Sequence, residues 1–316
     1  MSSRPATPRI GVAGQSAWGL PLLSPVVIAA LMQSDPALDL LPEVERQMLS
    51  AVGVSATAEA SMRSPLLRAC THHLCSGGQR VRALLALHAG VALGMPDGDA
   101  VTIAATAELL HNASLVHDDL LDRSEQRRGA PTVHSAFGTA IALCAGDLLL
   151  SGAYRTLASY SGTATLPRLL TLTHDAVSEA AHGQIADSMA PRGSGDTVTW
   201  YLSVAAAKSG ALLRLPLELA LAASGLANAL PLARRAAEAF AIGYQIADDI
   251  NDIEADMATG SLNLLVLLRA AGPGGANVAR RLAQQHLAAA HMLANELPGG
   301  SGRYLGQLAK AREAQL

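Results

Sequence analysis

The sequence predicts an all-α protein folded as one large helical bundle. Three observations predict it. From about residue 36 onward, apolar residues recur at helical rather than alternating spacing; long Ala/Leu-rich segments are separated by short Gly- and Pro-containing breakers; and half of the 316 residues are hydrophobic while only 3% are aromatic. Taken in order, the pattern gives helices over about 38–52, 55–74, 79–93, 99–122, 138–160, 166–189, 197–207, 209–224, 229–255, 261–271, 275–296 and 300–314. Ser76-Gly77-Gly78 separates the second from the third, and Pro96-Asp97-Gly98 the third from the fourth. Pro191-Arg192-Gly193-Ser194-Gly195 and Gly272-Pro273-Gly274-Gly275 do the same further on. None of these breakers has the length of an interdomain linker, so residues 21–316 read as a single domain behind a loose tail at residues 1–20. The stretches 99–116 and 140–150 are apolar almost all round, as in a helix at the centre of a bundle or beside an apolar cavity.

Composition excludes several classes. Lys+Arg 23 against Asp+Glu 26, with no long basic run, does not suit a protein that binds nucleic acid by neutralising phosphates. Cys70, Cys75 and Cys144 are too few and too scattered for a disulfide framework or a zinc site, and are expected to be reduced core residues. The apolar stretch Leu20–Met32 falls short of the roughly 20 residues needed to span a bilayer and holds Pro21 and Pro25. No transmembrane segment and a cytoplasmic location are therefore expected.

Chemistry concentrates in two matched motifs. His117-Asp118-Asp119-Leu120-Leu121-Asp122 closes the apolar run Val101–Val116. On a helix Asp118 and Asp122 share a face with Asp119 beside it, so three carboxylates are expected to converge and to need a cation. One acidic triplet alone would be an ordinary solvated face. A second copy, Asp248-Asp249-Ile250-Asn251-Asp252, repeats the spacing 130 residues later, again at the end of an apolar helix. Two such clusters facing each other suit hard divalent ions that share a diphosphate. Between them lies Arg127-Arg128-Gly129-Ala130-Pro131-Thr132-Val133-His134, whose paired guanidiniums could bind phosphate oxygens. Upstream, Gly77-Gly78-Gln79-Arg80-Val81-Arg82 combines a flexible turn, a helix start and arginines.

From Gly77 to Asp252 the content and order of these motifs resemble the trans-isoprenyl diphosphate synthases, or polyprenyl synthetases. The resemblance implies an all-helical bundle around a deep central cavity, usually a homodimer. It also implies head-to-tail condensation of isopentenyl diphosphate with an allylic diphosphate. Asp118, Asp119, Asp122, Asp248, Asp249 and Asp252 would ligate or support Mg²⁺, three ions with the diphosphate bound. Arg127, Lys208 and Gln245 would contact the allylic diphosphate and the cation site, with Lys208-Ser209 matching the family's Lys-Thr. Arg82, His111 and Arg128 match positions that hold isopentenyl diphosphate, and Gly183-Gln184 resembles a helix-packing, site-lining element. His72, His73, His174 and His182 match nothing and are read as structural.

The chain departs from the family at two places. Gln79 stands where a lysine usually binds isopentenyl diphosphate, and Glu254 to Asn263 contains none of the lysines of the usual closing loop. On the helix before Asp118, the wall positions Ser114, Ala113, Leu110 and Ala107 are small or flexible; eleven residues at about 1.5 Å leave roughly 16 Å without an aromatic floor. The expected product is C20 or longer. The missing lysines motivate one alternative, a terpene cyclase working on one allylic diphosphate; a second alternative is a non-catalytic subunit of a heteromeric synthase.

Overall fold

The computed structural model describes residues 35–54, 64–189, 197–259, 262–271 and 274–316. The expected tail, the Leu20–Met32 stretch, the first half of the 55–74 helix and the Pro191–Gly195 breaker lie outside the described residues. The elements are α1 (Pro36–Asp39), α2 (Leu41–Ala51), α3 (Pro65–Cys75), α4 (Val81–Ala92), α5 (Asp97–Leu121), α6 (Val133–Phe137) and α7 (Thr139–Leu157). After these come α8 (Leu166–Ser188), α9 (Thr197–Ala205), a π-helical turn (Ala206–Gly210), α10 (Ala211–Ala223), α11 (Leu230–Asn251), α12 (Ile253–Thr259), α13 (Leu264–Ala271), α14 (Gly275–Asn295) and α15 (Arg303–Glu313). The all-α expectation holds, with one exception among the described residues, an antiparallel hairpin of two residues per strand pairing Gln126 with Pro131 and Arg127 with Ala130.

Helix α5 is the hub. Eighteen of its 25 residues are buried, because α4, α7, α10 and α2 pack around it. Its polar residues are accommodated locally: Thr102 and Thr106 return their hydroxyls to the carbonyls of Gly98 and Thr102, at 2.9 and 2.8 Å. Small residues let neighbours approach. A Cβ on Gly146 of α7 would fall 2.2 Å from His117 Nε2, and one on Gly243 of α11 would fall 2.8 Å from Leu287 Cγ of α14. Leucines such as Leu109, Leu149, Leu215 and Leu287 are fully buried in these seams, each worth about 1.5–3 kcal/mol of apolar burial.

Two sequence expectations need correction. Only Cys70 sits in the core; Cys75 and Cys144 are exposed, since they fall on the outward faces of α3 and α7. Among the described residues α7 is also long and apolar enough to cross a membrane. It packs its buried face on α5, however, and exposes Asp147 and Arg155 on the other side, as a bundle helix does.

Candidate active site

Both aspartate motifs lie at helix C-termini, α5 and α11, where the aligned peptide dipoles already disfavour negative charge. Three further carboxylates at each end add to that cost, and at each end the middle one is buried against protein donors, a guanidinium at the first and neutral groups at the second. Positions one and five of each motif lie on one face; position two is rotated by about 100° and turns inward.

Asp119 is 2% exposed and takes Arg127 Nε at 2.9 Å on both carboxylate oxygens, with Arg127 Nη2 at 2.8 Å. Asp249 is 1% exposed and accepts from the Tyr201 hydroxyl at 2.7 Å, the Leu264 backbone N–H at 2.6 Å and Gln245 Nε2 at 3.0 Å. Asp118, Asp122 and Asp252 receive no hydrogen bond or ion pair on their carboxylates among the described residues. The convergence of three carboxylates expected from sequence is thus reduced to two per cluster, because helical phase sends the middle one into the core. Arg127 and Gln245 act as its partners. Among the described residues no three acidic, histidine or cysteine side chains close on a single point, so neither cluster is a complete metal cage.

Burial shapes the acids. It pushes the carboxyls of Asp118 and Asp248 up to about 6, against the lowering charges of Lys208 and Arg312 respectively. Asp122 and Asp252 move in the same direction for the same reason. Asp249 rises to about 7 through burial despite its three donors.

Lys208 sits in the π-helical turn, a single-residue insertion of the kind found at functional sites. It ion-pairs with Asp187 of α8 and its charge acts on both Asp118 and Asp122. The turn is held by Gly183, where a Cβ would meet the Lys208 backbone nitrogen at 2.4 Å, so this glycine is a packing contact that sets the position of the lysine, while the neighbouring Gln184 has its Oε1 buried without a hydrogen-bond partner. The neighbouring Ser209 Oγ is buried without a hydrogen-bond partner.

Beside the first cluster lies a pocket of positive charge. Arg82, buried, contacts His111 Nε2 at 3.1 Å, while its Nε has no partner. Arg128 packs its guanidinium on Gly78, where a Cβ would fall 2.7 Å away, and donates to the Gly77 carbonyl. Gly77 and Gly78 have φ of +88° and +129°, which a side chain would oppose. Arg80 and Arg128 are themselves left-handed at φ 51° and 55°, a backbone strain typical of functional loops. Gln79 is half-buried.

The counter-charge is small. Buried Glu108 accepts from the Ala83 backbone N–H at 3.1 Å and lies 3.8 Å from Arg80 Nη1, whose Nε reaches Glu45 at 3.1 Å. Burial and the surrounding guanidiniums hold His111 well below the ordinary histidine range and His73 at about 3, so both imidazoles are neutral. Burial also lowers Arg82 to about 10. The Tyr244 hydroxyl on the second aspartate helix is pushed up by burial and by Asp248, against the lowering charges of Arg312 and, more weakly, Arg82.

Hard carboxylate oxygens that leave coordination positions open fit Mg²⁺, which keeps waters and takes substrate phosphates. The unpartnered Arg82 Nε and Ser209 Oγ are donors suited to an anion. The polyprenyl synthetase family profile matches residues 64–261. The chain belongs to that family. It is 34% identical over 234 residues to a probable farnesyl diphosphate synthase of Bradyrhizobium diazoefficiens, covering 69% of this chain and 70% of that one. It is 30% identical over 214 residues to a short chain isoprenyl diphosphate synthase of Methanothermobacter thermautotrophicus, covering 64% of this chain and 66% of the relative. The geranylgeranyl pyrophosphate synthetase of the archaeon Geoglobus acetivorans superposes with a TM-score of 0.76 at 26% identity, over 88% of this chain and 99% of that one.

Sequence reasoning missed four residues that contact this candidate site. Asp187 lies four residues after Gly183 and could have been found as a polar residue on the same helix face. Tyr201, Glu108 and Arg312 carry no motif signal; only the fold brings them to their partners. The wall positions lie below the first cluster on α5, with Ser114 half-buried and Ala113, Leu110 and Ala107 buried.

Proposed function

We propose that the protein is a Mg²⁺-dependent trans-prenyltransferase that condenses isopentenyl diphosphate head-to-tail with an allylic diphosphate. The observation that supports this reading is two aspartate-bearing helix ends, α5 and α11, in one chain with the buried Arg82 and His111 and the neighbouring Arg128, a set of groups suited to two different diphosphates. Asp118, Asp122, Asp248 and Asp252 would hold the metal, with Asp119 and Asp249 fixing the helix ends behind them. Bound Mg²⁺ would neutralise the allylic diphosphate and so ease its departure.

Lys208 stands on the same side and adds a positive charge where negative charge develops. Arg82, Arg128 and the neutral His111 would hold isopentenyl diphosphate so that its double bond faces the allylic carbon. The allylic C–O bond breaks with its electron pair leaving on diphosphate, the π electrons of the alkene form the new C–C bond, and the adjacent C–H proton passes to the departing diphosphate. Apolar walls from α5 keep water from the cation.

The retained arginine pocket supports condensation over the cyclase alternative, which has no second diphosphate to bind. Ser114, Ala113, Leu110 and Ala107, with no aromatic among them, support a product of C20 or longer. The relatives range from farnesyl to nonaprenyl diphosphate synthases and leave that length open. A cytoplasmic homodimer belongs to the proposal, supported by the resemblance and by the half of α7 that stays exposed, Leu143 included.

Farnesyl diphosphate, labelled isopentenyl diphosphate and Mg²⁺ are expected to give a longer labelled diphosphate with the purified chain alone. Hydrocarbon from the allylic substrate by itself would identify a cyclase, and no turnover would identify a subunit.

Metal binding should also report on proton competition. Asp118 and Asp248 hold protons up to about pH 6 because they are buried. Mn²⁺ affinity measured without diphosphate is therefore expected to be flat above about pH 7 and to fall below pH 6, by about tenfold per pH unit for each carboxylate that must lose a proton. Constant affinity from pH 5 to 8 would contradict this picture.

A further inference from the structure

Arg312, in the last turn of α15, is 4% exposed and belongs to no motif. Its Nη2 donates to Asp248 Oδ1 at 2.6 Å, and its guanidinium carbon lies 4.7 Å from the centre of the Tyr244 ring. Tyr244 and Asp248 are one turn apart on α11, so a single guanidinium stacks on one and ion-pairs with the other. Its Nη1 donates to Gln315 Oε1 at 3.0 Å, and its Nε is buried with no hydrogen-bond partner. The acidic face continues beyond Asp248 through Asp252 and Asp256, and residues 253–266 contain no lysine or arginine. Arg312 is thus the cation paired with Asp248, delivered from 64 residues away in sequence.

A guanidinium does not lose its proton, so it cannot leave Asp248 by neutralisation. A divalent ion that takes Asp248 must displace it or share the carboxylate with it. Once displaced, the guanidinium stays in the site because its stem is buried and its plane rests on Tyr244. Its planar fork of donors then matches phosphate oxygens.

We propose that Arg312 is a substrate-positioning cation that guards Asp248 against metal until diphosphate arrives, and then binds the diphosphate itself. This rests on the function proposed above.

The test uses the full chain as wild type, R312Q and R312K. Mn²⁺ binding is followed by electron paramagnetic resonance with and without inorganic diphosphate, and diphosphate affinity is measured at saturating Mn²⁺. Without diphosphate, R312Q is expected to bind Mn²⁺ roughly tenfold or more tightly than wild type, since the lost charge-assisted bond no longer competes. With metal present, R312Q is expected to bind diphosphate roughly tenfold or more weakly. R312K should keep the exclusion of Mn²⁺ yet lose part of the diphosphate affinity, because a point charge replaces the fork.

Equal Mn²⁺ and equal diphosphate affinities in wild type and R312Q would overturn the proposal; a merely structural arginine would change the melting temperature and neither affinity. If circular dichroism shows R312Q unfolded, R312K decides, and unchanged diphosphate affinity in a folded R312K overturns it. Wild-type protein binding neither Mn²⁺ nor diphosphate would instead bring down the prenyltransferase reading.

Discussion

Replacing Asp118 by Asn is expected to lower turnover by about 10²–10³-fold, the size of effect seen when one preorganised charge-stabilising group is removed. The same substitution should leave the melting temperature unchanged or raise it. Asn has the volume of Asp, and the Asp118 carboxylate makes no hydrogen bond or ion pair among the described residues. Its folded-state pKa, about 6, lies above the ordinary aspartate value because burial penalises the charge. The native state therefore holds that proton more tightly than the unfolded chain, and above pH 6 the ionised group costs stability. A neutral side chain removes this cost. Steady-state rates with farnesyl and isopentenyl diphosphates, read beside calorimetry at pH 7, would show activity lost from a protein at least as stable. Wild-type rates would remove Asp118 from the site.

The next residue should behave in the opposite way. Asp119→Ala is expected to cost about 3–5 kcal/mol of stability, because it leaves the buried Arg127 guanidinium without its carboxylate. Arg127 is 7% exposed and places Nε and Nη2 on Asp119 within 2.9 Å. It has little access to water as a substitute partner. Chemical denaturation at constant m-value would measure the loss. A change under 1 kcal/mol would mean that the guanidinium relocates to solvent and that Asp119 does not anchor the helix end. The contrast between two adjacent aspartates, one affecting rate and the other stability, tests the inward turn of the second motif position more directly than either alone.

How much of this was readable in advance depends on what periodicity encodes. The expected 99–122 and 275–296 helices are observed as Asp97–Leu121 and Gly275–Asn295, since apolar residues at helical spacing fix the element and, in the second, its buried face as well. The chemistry of the Asp-Asp-x-x-Asp pair was readable for the same reason, because spacing four places two carboxylates together. Periodicity does not name a partner. Nothing in the sequence says that Asp119 meets Arg127 rather than a metal, or that Asp249 is taken by Tyr201 and Leu264, because those contacts depend on how loops and distant helices return.

Nor does a 3.6-residue pattern reveal a π turn. The extra residue at Ala206–Gly210 only shifts the phase between α9 and α10, and the expected helices 197–207 and 209–224 straddle it. The segment from Gln126 to Pro131, between the expected helices 99–122 and 138–160, forms a hairpin of two residues per strand, too short for an alternating pattern to show. The Arg312 contact was the least readable, since its only sequence sign is an arginine in an otherwise ordinary amphipathic helix.

The encasement of α5 has a mechanical consequence. From Asp99 to Val116 every residue but Ser114 is buried, which leaves this stretch no free side toward which to pivot, and repacking it would disturb most of the interior. Asp118 and Asp122 therefore behave as a stationary anvil. Any movement that accompanies turnover is then made by other parts of the chain against a reference point that does not yield.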